Sequence, residues 1–169
     1  DLNKLNNLLE LFFTQYDLQS NKNESFLCSL KDTKKKFNWK ETHDSIIKLS
    51  TEIKQFVNKG DRCLIISENR PEWFISDLSI MLSEAITVPA YTTYVDRDYE
   101  YIIDDCKPKI IFVSDQNQFL KIEKIIKNKN FIKKIFSFEK LSNVNEGKYQ
   151  NINNLFFNSK IEKKIYSNK

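Results

Sequence analysis

The most informative shortage in this 169-residue sequence is glycine, of which there are only two, Gly60 and Gly147. A phosphate-binding loop uses several glycines so that backbone N–H groups can close around the anion at the start of a helix. Neither glycine stands between a predicted strand and the helix that follows it. The sequence therefore offers no obvious cradle for a nucleotide phosphate.

Cysteine and histidine are sparse as well. Cys28, Cys63 and Cys106 are odd in number and widely spaced, which fits neither a disulfide framework nor a metal site and is typical of a reducing cytoplasm. The single histidine, His43, has no serine or cysteine that spacing would single out as its partner, so a catalytic dyad cannot be argued. We interpret His43 as a solvent-facing or partly packed side chain.

Arginine is scarce among the 27 basic residues, with Arg62, Arg70 and Arg97 as its only members. Nucleic-acid surfaces tend to use the flat, bidentate guanidinium group rather than lysine. The formal charge of +4 is therefore a poor argument for such a partner, and we expect no nucleic acid to bind.

Long apolar runs are also missing. No stretch approaches the roughly 18 to 20 apolar residues of a membrane span. The first residues lack the cationic start and the cleavage site of a signal peptide. These features predict a soluble, cytoplasmic protein. The chain does not begin with methionine, which suggests a fragment or a processed chain.

What the sequence does have is 40% hydrophobic and 13% aromatic residues, enough to offset the entropy of ordering the backbone. Short apolar runs alternate with helical patterns in the middle of the chain. Because such strands form parallel sheets covered on both faces, we predict an α/β fold with a doubly wound, mostly parallel sheet flanked by helices. The predicted strands are 62–67, 86–91, 110–114 and 132–138.

An N-terminal helix and a β-hairpin precede this sheet in the prediction. The helix covers 5–16, and the hairpin pairs 25–30 with 36–39. Asn38 and Glu41 have the spacing of a capping box, which starts another helix that Gly60 would close. We divide the chain into an N-terminal helix and linker (1–24), an α/β subdomain (25–140) and a polar, incomplete C-terminal segment (141–169). In the last segment only 152–157 and 160–166 suggest order.

Three segments could carry a ligand, and each also has a structural explanation that we prefer. The segment Ser67–Phe74 (SENRPEWF) joins a strand end to a helix start, where α/β proteins often bind ligands, but Pro71 and Glu72 suit a first helical turn. The acidic stretch 96–105 could hold a metal ion, yet its acids occupy capping and surface positions. Segment 121–134 alternates Lys with Ile and Phe, which describes a covering helix as well as peripheral contact with an anionic membrane.

Ordered motifs run from Gly60 to Tyr94. They are a Gly-Asp-Arg strand start, an apolar strand, an Asn-x-Pro-Glu-Trp helix start, and a Val-Pro strand followed by a Tyr/Thr-rich loop. In these motifs the chain resembles the adenylate-forming (AMP-binding) synthetase superfamily, especially the N-terminal part of a long-chain fatty acyl-CoA synthetase. The likeness extends over roughly 26–126. The matching residues are Gly60, Asp61, Arg62, Asn69, Pro71, Glu72, Trp73, Val88 and Pro89.

The resemblance implies a two-step ligase. A fatty acid carboxylate attacks the α-phosphate of ATP with Mg²⁺ to give an acyl-adenylate and pyrophosphate, and the thiol of CoA then displaces AMP. The partners of the parent enzyme are thus fatty acid, ATP, Mg²⁺, CoA and the rest of the synthetase chain. The family's phosphate loop, nucleotide-binding motifs and catalytic lysine come later in the family. The resemblance therefore gives this segment no catalytic, cofactor-binding or metal-binding residue, and we expect it to be inactive and to bind none of these groups alone.

Two features go beyond the motifs. Glu84 stands where the family usually has glycine, a residue that would permit a positive φ or close packing between helix and strand. The helix from Pro71 to Ser83 is apolar on most of its circumference, whereas a helix that covers a sheet needs only an apolar stripe. We therefore expect a second surface on its outer side, which the next α/β subdomain of the parent enzyme would supply.

The alternative is a stand-alone binding or signalling module with a flavodoxin-like sheet. Asp115, at the end of the third predicted strand, would then be a phosphoacceptor. Such a module would normally present further acids at the end of its first strand, where only Glu68 stands, with Asn69 and Arg70. Because fold alone does not fix function, this shortage of acids favours the ligase.

Overall fold

The computed structural model describes residues 5–144 and 147–156. Helix α1 (Leu8–Leu18) comes first, and the strands β1 (Ser25–Cys28) and β2 (Lys36–Asn38) form an antiparallel hairpin. Helix α2 (Trp39–Ile53) then leads into the main unit. That unit consists of β3 (Arg62–Ile66), α3 (Pro71–Leu82), β4 (Ile86–Ala90), α4 (Asp96–Cys106), β5 (Ile110–Val113), α5 (Gln116–Ile126), β6 (Lys134–Ser137), β7 (Tyr149–Asn151) and α6 (Asn153–Phe156).

The main sheet has five parallel strands in the order β4-β3-β5-β6-β7. Alternate side chains of β3 serve two separate cores. Cys63 and Ile65 pack with helices α2 and α3 on one face, while Leu64 and Ile66 pack with α4 and α5 on the other. The predicted α/β fold with a doubly wound sheet, a preceding helix and a hairpin is confirmed.

The predicted capping box starts α2. The Asn38 side chain accepts a hydrogen bond from the Glu41 backbone N–H at 2.7 Å, and the Glu41 carboxylate accepts one from the Asn38 N–H at 2.9 Å. The prediction that Gly60 closes this helix is wrong, because α2 ends at Ile53. Gly60 instead lies in the turn before β3 with φ at +81°, and its N–H donates to the Glu84 carbonyl at 2.8 Å.

Two further details differ from the sequence prediction, in which Asp96 caps a helix and no strand follows the one at 132–138. Helix α4 begins at Asp96, and the carboxylate of Asp98 accepts from the backbone N–H of Val95, the capping position, at 3.2 Å. Strand β7 was not predicted, because its three residues, Tyr149–Asn151, lack the apolar run of the other strands. It is defined by its parallel pairing with β6. Of the two ordered stretches predicted in the C-terminal segment, 160–166 lies outside the described residues.

The outer side of α3 is covered in part by this chain itself. The ring of Phe74 lies 6.1 Å from that of Phe12 in α1 and 5.8 Å from that of Phe26 in β1. Within α3, Leu78 and Ile80 are fully buried, and the half-buried Trp73, Phe74 and Met81 pack against the same core. This chain therefore supplies part of the second surface expected on α3, and the expectation that the next subdomain covers the rest stays a prediction.

Glu84 adopts the backbone conformation that explains the family's glycine. Its φ is +58°, in the left-handed region that costs an L-residue free energy. The residue ends α3 in a Schellman motif, since the N–H of Ala85 donates to the Ile80 carbonyl at 3.1 Å and that of Glu84 to Met81 at 3.0 Å. Its exposed side chain pairs with Lys59 at 2.9 Å.

We expect Glu84→Gly to melt about 2–4 °C above Glu84→Ala, because only glycine removes the penalty of the left-handed backbone. Both variants lose the Lys59 pair, so alanine controls for its removal. Thermal unfolding of the two variants, followed by circular dichroism, checks the difference. Equal melting temperatures would contradict the backbone explanation.

Candidate ligand-facing edge of the sheet

The carboxyl ends of β3 and β5 mark the point where the chain reverses its winding. Helix α3, which follows β3, lies on one face of the sheet, whereas α5, which follows β5, lies on the other. A crevice opens where the connections of neighbouring strands leave to opposite faces, and ligands of α/β proteins bind there. The segment after β3, Ser67–Arg70, and the one after β5, Ser114–Asp115, meet at this edge.

An ion-pair cluster fills the edge. Arg70 donates to the Glu72 carboxylate through Nε at 3.0 Å and to Glu139 through its terminal nitrogen at 3.0 Å. Lys35 also binds Glu72 in the first turn of α3, and Lys31 lies 2.7 Å from Glu68 in the loop after β3. These two ion pairs connect the hairpin to the segment that follows β3. The carboxyl-edge cluster therefore has three cations and three carboxylates, Lys31, Lys35, Arg70, Glu68, Glu72 and Glu139.

Glu72 is the buried centre of this cluster, with no exposed side-chain area. Burial alone would raise the pKa of its carboxyl, but hydrogen bonds from Arg70 and Lys35 outweigh it and hold the pKa below the usual value. Burial likewise opposes the charge on Arg70, yet its bonds to Glu72 and Glu139 raise its pKa. Arg70 and Glu72 are thus held in their charged forms as a buried ion pair. The interpretation of Ser67–Phe74 as a helix start agrees with this geometry.

A second feature of the same edge is the Tyr/Thr loop after β4, residues 91–94. The buried Tyr99 in α4 donates its hydroxyl to the Tyr91 carbonyl at 2.8 Å. The ammonium group of Lys121 in α5 donates to the Thr92 carbonyl at 2.7 Å and lies 3.4 Å from that of Tyr94. Burial, with a smaller contribution from Asp98, raises the pKa of Tyr99 to about 12, so its hydroxyl remains a donor at neutral pH.

Asp115 and His43 have structural partners. Asp115 caps α5 by accepting from the Gln118 N–H at 3.0 Å, and its other oxygen lies 3.1 Å from the Ser114 hydroxyl. His43 stacks on the ring of Tyr16 at 4.2 Å and lies 3.0 Å from Asp44. These contacts agree with a capping aspartate and a partly packed histidine, and the flavodoxin-like alternative with Asp115 as phosphoacceptor is not favoured.

The remaining candidates are a metal site in the acidic stretch and membrane contact by 121–134. Within residues 5–144 and 147–156, no group of three His, Cys, Asp or Glu side chains could hold a metal ion. In the acidic stretch 96–105, Asp98 accepts a hydrogen bond from the backbone N–H of Val95, and Asp104 pairs with Lys129. Phe119, Ile122 and Ile126 of α5 face the core, so α5 is a covering helix. None of the described helices has the length and hydropathy needed to cross a bilayer.

Cys63 is buried in β3, as the sequence predicts, and burial raises its pKa to about 12. No local pattern along the chain indicated the roles of Lys35, Lys121 and Tyr99. Lys121 and Tyr99 occupy ordinary positions of their helices. Their partners, the carbonyls of Thr92 and Tyr91, lie 29 and 8 residues away along the chain. The hydroxyl-rich stretch Tyr91–Tyr94 was a local indication of such donors. It lies beyond the end of β4, so several of its backbone carbonyls have no strand partner and need hydrogen bonds from elsewhere.

Comparison with known proteins agrees with this architecture. The sequence model of the family described as AMP-binding enzyme matches residues 15–160. Long chain acyl-CoA synthetase 3 of Arabidopsis thaliana is 31% identical over 106 residues, which are 62% of this chain and 16% of that protein. Fatty acyl-CoA synthetase A of Dictyostelium discoideum is 31% identical over 100 residues, 59% of this chain and 14% of that protein. The chain thus spans about one sixth of the length of the curated relatives it matches.

Solved structures show the same fold. A mutant form of coronafacic acid ligase from Pectobacterium brasiliense superimposes with a TM-score of 0.76 at 18% identity, covering 91% of this chain and 30% of the ligase. The anthranilate CoA ligase AuaEII, determined with anthranoyl-AMP, gives a TM-score of 0.72 at 20% identity and covers 92% of this chain and 28% of that one. The family match covers most of the sequence, and the chain therefore belongs to the adenylate-forming, AMP-binding enzyme family.

Proposed function

We propose that this chain is the first α/β subdomain of an ATP-dependent fatty acyl-CoA synthetase. The observation that carries the proposal is the family match over residues 15–160, joined to 31% identity with a long-chain acyl-CoA synthetase over 106 residues. In such an enzyme a carboxylate displaces pyrophosphate from ATP, and the thiol of CoA then displaces AMP to form the thioester. We place the protein in the cytoplasm, with peripheral membrane contact as a property of the parent enzyme.

The described residues do not fit a triphosphate or its magnesium ion. The cations of the carboxyl-edge cluster are already bound to carboxylates. They are Lys31, Lys35 and Arg70. Both glycines lie before strands rather than between a strand end and a helix. Binding of ATP in the parent enzyme is therefore assigned to residues outside this segment. The segment itself acts as a scaffold and contributes part of the wall shared by the acyl and CoA sites.

The 169-residue chain alone is expected to show no ATP–pyrophosphate exchange with any fatty acid, because its sequence has no counterpart of the family's phosphate loop and lysine, which would stabilise charge on the reacting phosphates. The full reading frame should continue into a Tyr-Thr-Ser-Gly-Thr-like loop with a following lysine, and its product should catalyse exchange that depends on fatty acid. Radiolabelled pyrophosphate exchange measures both. Exchange by the short chain, or a full-length product inactive with every fatty acid tested, would refute the proposal.

A further inference from the structure

The hairpin of β1 and β2 has two faces that differ in burial. Leu27 and Phe37 are register partners on the inner face, where Phe37 is buried in the core. Cys28 and Lys36 form the next pair, and both are exposed. Successive residues of a strand point to opposite faces, and this alternation of burial continues into the turn. The exposed side, which we call the outer hairpin face, consists of Cys28, Leu30, Lys34 and Lys36.

The tip of the hairpin, residues 29–35, has a well-defined backbone. The Ser29 N–H donates to the Lys35 carbonyl at 3.0 Å, and the Lys35 N–H donates to the Asp32 carbonyl at 2.9 Å. Asp32 donates its own N–H to the Ser29 hydroxyl at 3.2 Å and accepts from the Lys34 N–H at 3.1 Å through its carboxylate. Leu30 stands on this backbone with 94% of its surface exposed. The tip therefore holds an apolar side chain out in the solvent.

The four lysines of the hairpin fall into two groups. Lys31 and Lys35 bind carboxylates of the carboxyl-edge cluster and so anchor the hairpin to the main unit. Lys34 and Lys36 are exposed, and neither pairs with a carboxylate of residues 5–144 and 147–156. The outer hairpin face thus carries two unpaired ammonium groups on an anchored support, so little ordering is needed when a partner binds.

The combination of an apolar tip with unpaired cations selects the kind of partner. A single exposed leucine is ordinary, but Leu30 shares its face with two lysines. A specific protein interface buries roughly 800 Å² on each partner, which four side chains at a hairpin tip do not provide. Nucleic acid offers phosphates but no apolar phase for the leucine. An anionic lipid surface offers both, because its headgroups attract lysine and its acyl region accepts an apolar side chain.

We propose that the outer hairpin face docks on an anionic lipid bilayer, with Leu30 inserted at the boundary of headgroups and acyl chains and Lys34 and Lys36 bound to the headgroups. The inference rests on the proposed function, since it names the surface that makes the peripheral membrane contact of the parent enzyme. One apolar side chain with two lysines gives weak, reversible attachment that salt reduces. Segment 121–134 lacks this arrangement, because the apolar side chains Ile122 and Ile126 are buried.

The test measures sedimentation of the full-length ligase with vesicles of phosphatidylcholine and phosphatidylserine in equal amounts, and with vesicles of phosphatidylcholine alone. Leu30→Ser should lower the partition coefficient on the anionic vesicles about tenfold, the factor expected for losing much of the burial of a leucine side chain. The double variant Lys34→Gln with Lys36→Gln should lower it about twentyfold, since each lysine near an anionic surface contributes a factor of about five. Its remaining binding should depend little on salt.

Two control variants match these changes. Leu18→Ser removes a leucine that is 72% exposed at the end of α1, away from the hairpin. Lys124→Gln with Lys127→Gln removes the same charge from exposed positions at the end of α5. Both controls should bind the anionic vesicles as wild type does. All variants alter exposed side chains, so ATP–pyrophosphate exchange without vesicles should be unchanged and reports correct folding.

The outcomes separate the two proposals. Wild-type enzyme without fatty-acid-dependent exchange would refute the proposed ligase, whereas active enzyme that ignores anionic vesicles would overturn the docking surface alone. Unaltered vesicle binding by Leu30→Ser would overturn it as well, because another part of the ligase would then cover the hairpin tip or contact the bilayer. An equal loss in the α5 charge control would show that net charge, not the outer hairpin face, governs binding, which also overturns the inference.

Discussion

Replacing Glu72 with glutamine is expected to lower the free energy of unfolding by about 3 kcal/mol, near the lower end of the cost of breaking a buried ion pair. Its carboxylate has no exposed area and receives both Nε of Arg70, at 3.0 Å, and the ammonium group of Lys35. Glutamine fills the same volume but leaves these two cations without their shared counter-charge. Urea unfolding of the chain at pH 7 measures the loss.

Glu139→Gln is the matched control, because Glu139 binds the same arginine at 3.0 Å but its side chain is 56% exposed. Exposed pairs contribute about 0–1 kcal/mol. A control as costly as Glu72→Gln would show that burial is not the source of the effect. If both substitutions were harmless, the carboxyl-edge cluster would not contribute to stability.

The contribution of Glu72 should also depend on pH. Its pKa is lowered in the folded chain, so its stabilising effect is complete above the unfolded value of about 4.3 and is lost as the pH falls through the folded pKa. The difference in unfolding free energy between wild type and Glu72→Gln should therefore shrink on acidification from pH 6 to pH 3. A difference that stayed constant over this range would contradict the assignment of an ionised Glu72.

Replacing Phe12 with alanine is expected to lower the free energy of unfolding by about 3–5 kcal/mol, the usual cost of truncating a buried phenylalanine. For a chain of this size that corresponds to roughly 10 °C in melting temperature. Phe12 is 5% exposed and is the one buried residue of α1 among those described. Its ring lies 6.1 Å from Trp39 and 6.1 Å from Phe74, so its loss uncovers the outer side of α3.

Leu8→Ala serves as the control, since Leu8 lies on the same helix but is 45% exposed. Exposed substitutions away from special features usually stay within about 0.5 kcal/mol. Thermal unfolding measures both variants, and a red shift of tryptophan emission with increased binding of a hydrophobic dye reports exposure of Trp39. Phe12→Ala with wild-type stability would mean that α1 does not hold the position described.

The sequence predicted the sheet and the start of α2 well, because both depend on neighbouring residues. The run from Cys63 to Ile66 is apolar without interruption, as a strand buried on both faces requires. The capping box needs only Asn38 and Glu41, three residues apart. Elements that lack such local signals were missed: β7 is polar, and the end of α2 falls seven residues before Gly60.

By itself, the sequence determined the family, the wound sheet and the shortage of phosphate-binding glycines, since each is a matter of residue type and short spacing. Only the tertiary structure decided what occupies the carboxyl edge and what covers α3. The cluster joins Lys35 to Glu72 and Arg70 to Glu139, pairs that are 37 and 69 residues apart. The physical reason is that ion pairs and ring contacts depend on distances of a few ångströms in space, which the winding of the chain sets and which no periodicity along the sequence records.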